Sequence, residues 1–458
     1  MKALILLSSL GVISLLSEIF SFKKLLYPIV LLGLIGTLVV NVMDWNLTNT
    51  LFFGMMRVDH YAVAFSSVLI GVAILWYLMA ADYFCEESNQ TDRTALILFA
   101  LVGAVIMTSY TNMTMLFLGI EILSISVYVL AGSNKNDVHS NEAAFKYLIM
   151  GAFATGFLLF GITLIYGSTR SFDLTEIGNA ILINRATISP IFYVGVLMMM
   201  IGLSFKVSAA PFHFWAPDVY QGAPTVITAY MATIVKTAAF AAFLKLFMTC
   251  FASVDDMWSN IIWIIAALTL LVGNITAVLQ TSVKRMLAYS SIAHAGYMLL
   301  ALLALNNYSQ SGILFYTLAY SIGSIASFGV LKLVIENANE DSLQAFNGLG
   351  KRNPLLAFVM TVALLSLAGI PPTAGFFAKY YIFTGAFQAG YPGLVLIAII
   401  ASLVGVYYYF KIIIAMYFKD STSETSIEVA MSHKFLFILI ALLTIALGIF
   451  PDLIIKLL

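Results

Sequence analysis

Two stretches of this 458-residue chain carry a lysine into apolar surroundings and also break their own helix. In the first, FKVSAAPFHFWAPDVYQGAP (residues 205–224), Lys206 follows the apolar run 191–203. An ionisable group at membrane depth costs roughly 2.5–3.5 kcal/mol on insertion scales, so a functional role is its default reading. Pro211 then removes a backbone donor, and Pro217 and Gly222 follow, which frees carbonyls close to the lysine. The second stretch, SLAGIPPTAGFFAKYY (residues 366–381), combines Pro371 and Pro372 with Lys379.

Further ionisable groups fall inside apolar runs. Glu121, in MLFLGIEILSIS, is the only carboxylate in the middle of such a run and needs a partner, for which Lys206 is the candidate. Desolvation disfavours an ammonium and a nearby carboxylate favours it, so a change in their separation would move a proton on or off the amine. A static ion pair holding two helices together is the alternative. Lys236 lies mid-run in ITAYMATIVKTAAF, roughly three helical turns past Pro224, where snorkelling is hard. His294, in LAYSSIAHAGYML, is either a satisfied core residue or a relay, and Ser290, Ser291 and Tyr297 beside it suggest a wet lining. Lys332 and Lys411 extend the line, although Lys332 is equally placed to snorkel toward its helix end. Lys146 follows Glu142 by four residues, a spacing that also permits a plain surface pair.

Amines at membrane depth with few carboxylates suit proton carriage better than metal binding, which wants carboxylate, imidazole or thiolate clusters. Sodium would want oxygen ligands, which the freed carbonyls supply only in part, so Na⁺ is disfavoured without being excluded. Cys85 and Cys250 stand apart with no spacing for zinc or an iron–sulfur cluster, which places any redox cofactor in another chain.

The elements that must hold these groups are membrane helices. A chain that is 62% hydrophobic and 10% charged is no soluble globular protein, and its mean hydropathy of +1.00 agrees. The balance of 22 Lys+Arg against 22 Asp+Glu suggests neither a nucleic-acid partner nor an anionic surface. Lys2 and the apolar residues 3–16 imitate a signal peptide, but Glu18, Phe20 and Phe22 stand where small cleavage-site residues belong, so the segment reads as a retained first span. Apolar runs of membrane-spanning length number fourteen. The twelfth, residues 354–389, would make a continuous helix of roughly 54 Å, too long for a bilayer core of about 30 Å, and so must be broken or double. With fourteen spans and both termini outside, Lys23, Lys24, Arg93, Lys135, Lys284, Arg285, Lys351, Arg352, Lys419 and Lys434 fall inside. Only Lys2, Arg57, Arg170, Arg185 and Lys456 fall outside, which is the positive-inside bias.

The expected fold is therefore an all-α polytopic membrane protein of about fourteen transmembrane helices. The breaks lie in runs seven and twelve, and an odd offset of five spans implies two five-helix repeats of opposite orientation. The units predicted are residues 1–93 (three helices), 94–250 (helices 4–8), 251–419 (helices 9–13) and 420–458 (helix 14).

At FLGIEILS (residues 117–124), PFHFWAPDVYQGAP (211–224), QTSVKRMLAYSSIAHAGY (280–297) and LSLAGIPPTAGFFAKYY (365–381), the chain resembles the antiporter-like membrane subunits of respiratory complex I. That family is shared with Mrp-type cation/proton antiporters and membrane-bound hydrogenases. The resemblance implies that Glu121 and Lys206 form the carboxylate/lysine couple of a first half-channel, that Lys236 is the central connecting lysine, and that Lys379 is the terminal lysine on the broken twelfth helix. Lys146 and His294 match further family positions. It also implies proton translocation within a multisubunit NADH:quinone oxidoreductase of a bacterial plasma membrane. Flavin, iron–sulfur clusters and quinone would belong to partner subunits, and this chain would touch other membrane subunits and lipid. A subunit of an Mrp-type cation/proton antiporter without redox partners is the rival expectation, and a scaffold holding membrane neighbours is a second.

Overall fold

The computed structural model describes residues 2–85, 89–184, 188–421 and 426–458; Arg185, counted above among the outer charges, lies outside them. Each of the fourteen apolar runs is helical. The first six are α1 (Lys2–Ile19), α2 (Lys23–Met43), α3 (His60–Met79), α4 (Gln90–Ser109), α5 (Met113–Ala131) and α6 (Val138–Thr169). The seventh is split into α7a (Pro190–Lys206) and α7b (Trp215–Gly222). Run eight, α8, begins at Thr225–Tyr230, passes through a π-helical turn at Met231–Val235 into Lys236–Leu246, and ends in a second π-turn at Phe247–Phe251. Then come α9 (Asp255–Val278), α10 (Val283–Ala304) and α11 (Asn307–Ala338). The twelfth is split into α12a (Pro354–Ala368) and α12b (Ala374–Gln388), and α13 (Pro392–Phe418) and α14 (Met431–Ile449) complete the set.

Eleven helical stretches among the described residues are long and apolar enough to cross a membrane by length and composition. One of them, Thr225–Val278, has 54 residues and contains both α8 and α9. At 1.5 Å per residue it would reach roughly 81 Å, so it has to turn, and a short 3₁₀ segment at Ala252–Val254 marks the corner. The twelfth run, too long for one straight helix, is broken at residues 369–373.

Helix starts follow local chemistry. Asp59, Asn112, Asp137, Ser282 and Asn306 accept hydrogen bonds from first-turn N–H groups of α3, α5, α6, α10 and α11. Pro190, Pro354 and Pro392 open α7a, α12a and α13, where a missing N–H costs nothing. Apart from an antiparallel hairpin, Asn49–Leu51 with Met56–Val58, the regular elements among the described residues are helices. The connection after α6 contains a further helix, Leu174–Asn184, whose Leu174, Ile177 and Ile181 are buried. Cys250 Sγ donates to the Leu174 carbonyl at 3.2 Å, which ties this helix to the end of α8.

Packing follows one scheme twice. α4 packs on α5, α5 on α6, α6 on both halves of α7, and α8 returns to α4. Likewise α9 packs on α10, α10 on α11, α11 on both halves of α12, and α13 returns to α9. The turns at 132–137, 223–224, 279–282 and 339–353 lie on one side of the bundle, joined by a shared cavity and by the Ser282–Ser342 bridge, and we call it the basic side because Lys135, Lys284, Arg285, Lys351 and Arg352 stand in or beside these turns. α10 and α11 are almost wholly buried, whereas α1 and α2 expose most of their surface.

Candidate functional site

Lys206 is the last residue of α7a and is 6% exposed. Its Nζ donates to Ser124 Oγ at 2.6 Å and to Tyr128 OH at 3.2 Å. Both acceptors stand on α5, three and seven residues beyond Glu121, so the carboxylate and the lysine address one helix face. Among the described residues no ion pair joins them. Glu121 Oε1 is buried without a protein partner, as are Ser204 Oγ, Ser208 Oγ and His213 Nδ1 around the break in α7. Buried polar atoms of this kind are met by internal water.

The freed carbonyls divide differently from the sequence expectation. The Phe205 carbonyl is taken by Trp215 Nε1 at 3.0 Å, and Ala210 N donates to Thr269 Oγ1 of α9 at 2.8 Å, so this break is closed by its own tryptophan and by the other unit. At the second break the carbonyl does meet the lysine. Lys379 Nζ donates to Ala368 O, the last carbonyl of α12a, at 2.8 Å and to Ser402 Oγ of α13 at 2.8 Å, and it lies 4.8 Å from the Tyr297 ring centre. The Ala210–Pro211 and Pro371–Pro372 bonds are cis.

Lys236 directly follows the first π-turn of α8, an irregularity common at functional sites. Its Nζ donates to the carbonyl and hydroxyl of Ser291, each at 2.5 Å, and faces the Tyr320 ring at 5.8 Å. His294, one turn farther along α10, is held by Tyr316 OH at 2.7 Å and Tyr409 OH at 3.2 Å. Tyr409 in turn contacts the Ser290 hydroxyl. His294, Tyr316, Tyr320 and Lys379 line one cavity of about 10 Å³, near the least that holds a water molecule. Lys236, His294 and Lys379 thus gather around α10, while Glu121 and Lys206 gather around α5. Aromatic rings link the groups: Tyr128 meets Tyr147 at 4.6 Å, Tyr147 stacks on Trp215 at 4.5 Å, and Trp215 meets Tyr220 at 6.0 Å.

The remaining lysines lie nearer the edges. Lys146 pairs with Glu142 at 2.8 Å, the spacing expected, and also with Asp218 of α7b at 3.0 Å. Asp218 is shared with Arg285 of α10 at 3.0 Å. Lys332 pairs with Asp82 at 2.9 Å and Glu336 at 3.3 Å, as a lysine reaching its helix end would. All seven of these charged residues, with Lys284, line a polar cavity of about 640 Å³ on the basic side. Lys411 donates to Val278 O, the last carbonyl of α9, at 3.0 Å.

Three groups were passed over in the sequence. Asp218 resembles an ordinary charge near a loop, and only the fold brings Lys146 and Arg285 to it. Lys284 follows the start of α10 so closely that it reads as surface, yet it donates to the Ala223 and Gln221 carbonyls at 2.6 and 3.0 Å, at the end of α7b. Lys245 could have been found by the same criterion as Lys236, because it sits in the apolar stretch TAAFAAFLKLFMTC.

A helical bundle built twice on one scheme, with two broken helices and buried amines at its centre, defines an antiporter-like membrane protein. The chain belongs to the family described as NADH:quinone oxidoreductase/Mrp antiporter, transmembrane, whose model matches residues 110–405. Its relatives include NADH-quinone oxidoreductase subunit N of Cytophaga hutchinsonii, 46% identical over 100% of this chain and 99% of that one. Subunit N of Flavobacterium psychrophilum is 43% identical over the full length of both. Among solved structures, a chain of respiratory complex I from Thermus thermophilus with bound aureothin is 32% identical, covers 99% of this chain and 98% of its own, and superposes with a TM-score of 0.84. A chain of the Mrp complex from Dietzia, 19% identical, covers 100% of this chain and 96% of its own with a TM-score of 0.89, and shows the fold alone.

Proposed function

We propose that the chain translocates protons as one module of a multisubunit NADH:quinone oxidoreductase in a bacterial plasma membrane, with fourteen crossings and both termini on the outer face. Residues 94–250 and 251–419 act as inverted units, flanked by residues 1–93 and 420–458. One observation carries the proton reading: Lys206, Lys236 and Lys379 are buried among hydroxyls, carbonyls and rings, with no carboxylate paired to any of them among the described contacts. Such surroundings solvate an ammonium yet leave the neutral amine nearly as well placed, which is what a carrier needs.

Protons enter from the basic side through the large cavity, load the Glu121/Lys206 region, pass to Lys236 and through the His294 hydroxyl cluster, and leave by Lys379. Flavin, iron–sulfur clusters and quinone belong to partner subunits, and among the described residues no group of three or more His, Cys, Asp or Glu could hold a metal. The kinship with NADH-quinone oxidoreductase subunits N, at 46% and 43% identity, favours this assembly over a free-standing cation/proton antiporter.

The gently solubilised chain should co-purify with flavin and iron–sulfur subunits, and Lys236→Met in that complex should keep quinone reduction while lowering the proton-to-electron ratio. Purification without redox partners, together with Na⁺/H⁺ exchange in vesicles, would establish the antiporter instead. Asp218→Asn is expected to leave assembly near normal, since each of its part-exposed pairs contributes about 1 kcal/mol or less. It should nevertheless slow proton uptake from the basic side, measured as a lower initial pumping rate at unchanged quinone turnover.

A further inference from the structure

We propose that Lys245 is a proton-exchange residue that opens the first five-helix unit toward the side opposite the basic face. The inference rests on the proton-carrying reading above and adds an outlet to it. Lys245 is 9% exposed and lies nine residues past Lys236 on α8. At 100° per residue the two lysines point to opposite sides of the helix, roughly 13 Å apart along its axis. Lys236 faces α10 and α11. Lys245 faces α3 and α4, where its Nζ donates to the Thr108 carbonyl at 3.0 Å and lies 5.6 and 5.7 Å from the ring centres of Tyr61 and Tyr110. Those tyrosines donate to the Ala241 and Ala242 carbonyls of α8 at 2.7 Å each, so the amine sits in a clamp of two phenols. Asp59 and Arg57, near the start of α3, are its charged neighbours.

A lysine at a helix C-terminus often serves only to cap it, and Thr108 is in the last turn of α4. Two further observations exceed capping. Thr108 also lines a cavity of about 20 Å³, large enough for one water, together with Asn41, Asp44 and Ser66. Asp44 pairs at 2.7 Å with Lys2, whose side chain is 62% exposed, so the cavity ends at the surface. The helix-end cap also recurs in the second unit with the opposite orientation. Lys411 on α13 caps α9 as Lys245 on α8 caps α4, and Lys411 lines a cavity of about 10 Å³ beside the turn 279–282. A proton released from the Lys245 ammonium passes to water in the 20 Å³ cavity and out past Asp44. The free amine is reloaded from the proton-carrying interior of the unit.

The decisive variant is Lys245→Arg in the intact complex, because guanidinium keeps the charge and the cap but does not deprotonate. Proton release by this route should slow on the order of 10²-fold, the contribution typical of a positioned acid–base group, and the proton-to-electron ratio should fall while assembly and quinone reduction persist. A normal ratio in Lys245→Arg, with a lowered one in Lys236→Met, leaves Lys245 a cap and overturns this inference alone. Normal ratios in both overturn the proton-carrying reading with it. Should Lys245→Arg not assemble, Asp44→Asn tests the same outlet at the surface: a lowered ratio is expected, and an unchanged one overturns the route.

Discussion

Lys206→Met is expected to slow proton passage through the chain by roughly 10²-fold. Without an amine at that depth, an excess proton must cross with no base to hold it, which costs about 2.5–3.5 kcal/mol. At 1.36 kcal/mol per decade that is about two decades of rate. Methionine keeps length and apolar packing, so the folded chain loses chiefly the donor to Ser124 and Tyr128. Ser124 retains a contact to the Ile120 carbonyl, and the remaining cost is that of one buried phenol without its donor, about 1–3 kcal/mol. The variant should therefore assemble and reduce quinone but pump poorly, as measured by the proton-to-electron ratio in reconstituted vesicles. Glu121→Gln should act in the same direction, because the unpaired Glu121 Oε1 shares the helix face that receives the Lys206 amine. An unchanged ratio in both variants would remove this region from the path.

How far the sequence reveals such residues depends on what makes them conspicuous. A charge in an apolar run stands out because the membrane penalises it, so Glu121, Lys206, Lys236 and Lys379 could be found without coordinates. The prolines at 211, 371 and 372 marked both breaks for an equally local reason. Partners are harder to read. Ser124 and Tyr128 are ordinary residues of a membrane helix, and nothing but the reach of the Lys206 side chain from the end of α7a to α5 makes them its acceptors. The same holds for Ser291 at Lys236 and Ser402 at Lys379. The fate of freed carbonyls also depends on tertiary contacts, which is why Phe205 O goes to Trp215 and Ala368 O to Lys379.

The two breaks are more alike than their lysines suggest. Asp218 follows Pro211 by seven residues, and Lys379 follows Pro372 by seven, so each stands in the second half-helix of its unit. The positional counterpart of Lys379 is thus Asp218 in the charged cavity, and Lys206 has no charged counterpart before the second break. One scaffold, used twice, places a carboxylate where one unit meets the basic side and an amine in the buried interior of the other.

Gly375→Ala is expected to be the most damaging single-atom-scale change in the fold. A Cβ at Gly375 would lie 1.7 Å from the Ser366 carbonyl oxygen, and that atom belongs to backbone that has little freedom to move. The Gly375 N–H also donates to Ser366 Oγ at 3.1 Å, so α12a and α12b are stapled at this point. From the other flank, a Cβ at Gly448 of α14 would meet the Pro372 carbonyl at 2.0 Å. The second break is therefore clasped between two glycines, the first of them seven residues past Ala368, whose carbonyl holds Lys379. Overpacking typically costs 1–3 kcal/mol, and clashes with backbone lie at or beyond the upper end, so each variant should lose about 3 kcal/mol or more. The expected result is a sharp drop in the amount of chain recovered in the complex and a lower melting temperature, with loss of pumping following from displacement of Ala368 O. Gly156→Ala is the internal control, since a Cβ there meets nothing within 4 Å, and alanine in a helix interior should be neutral or slightly stabilising. Normal recovery and melting of Gly375→Ala would mean that the two half-helices are free to part, and that Lys379 is held by Ser402 rather than by the break itself.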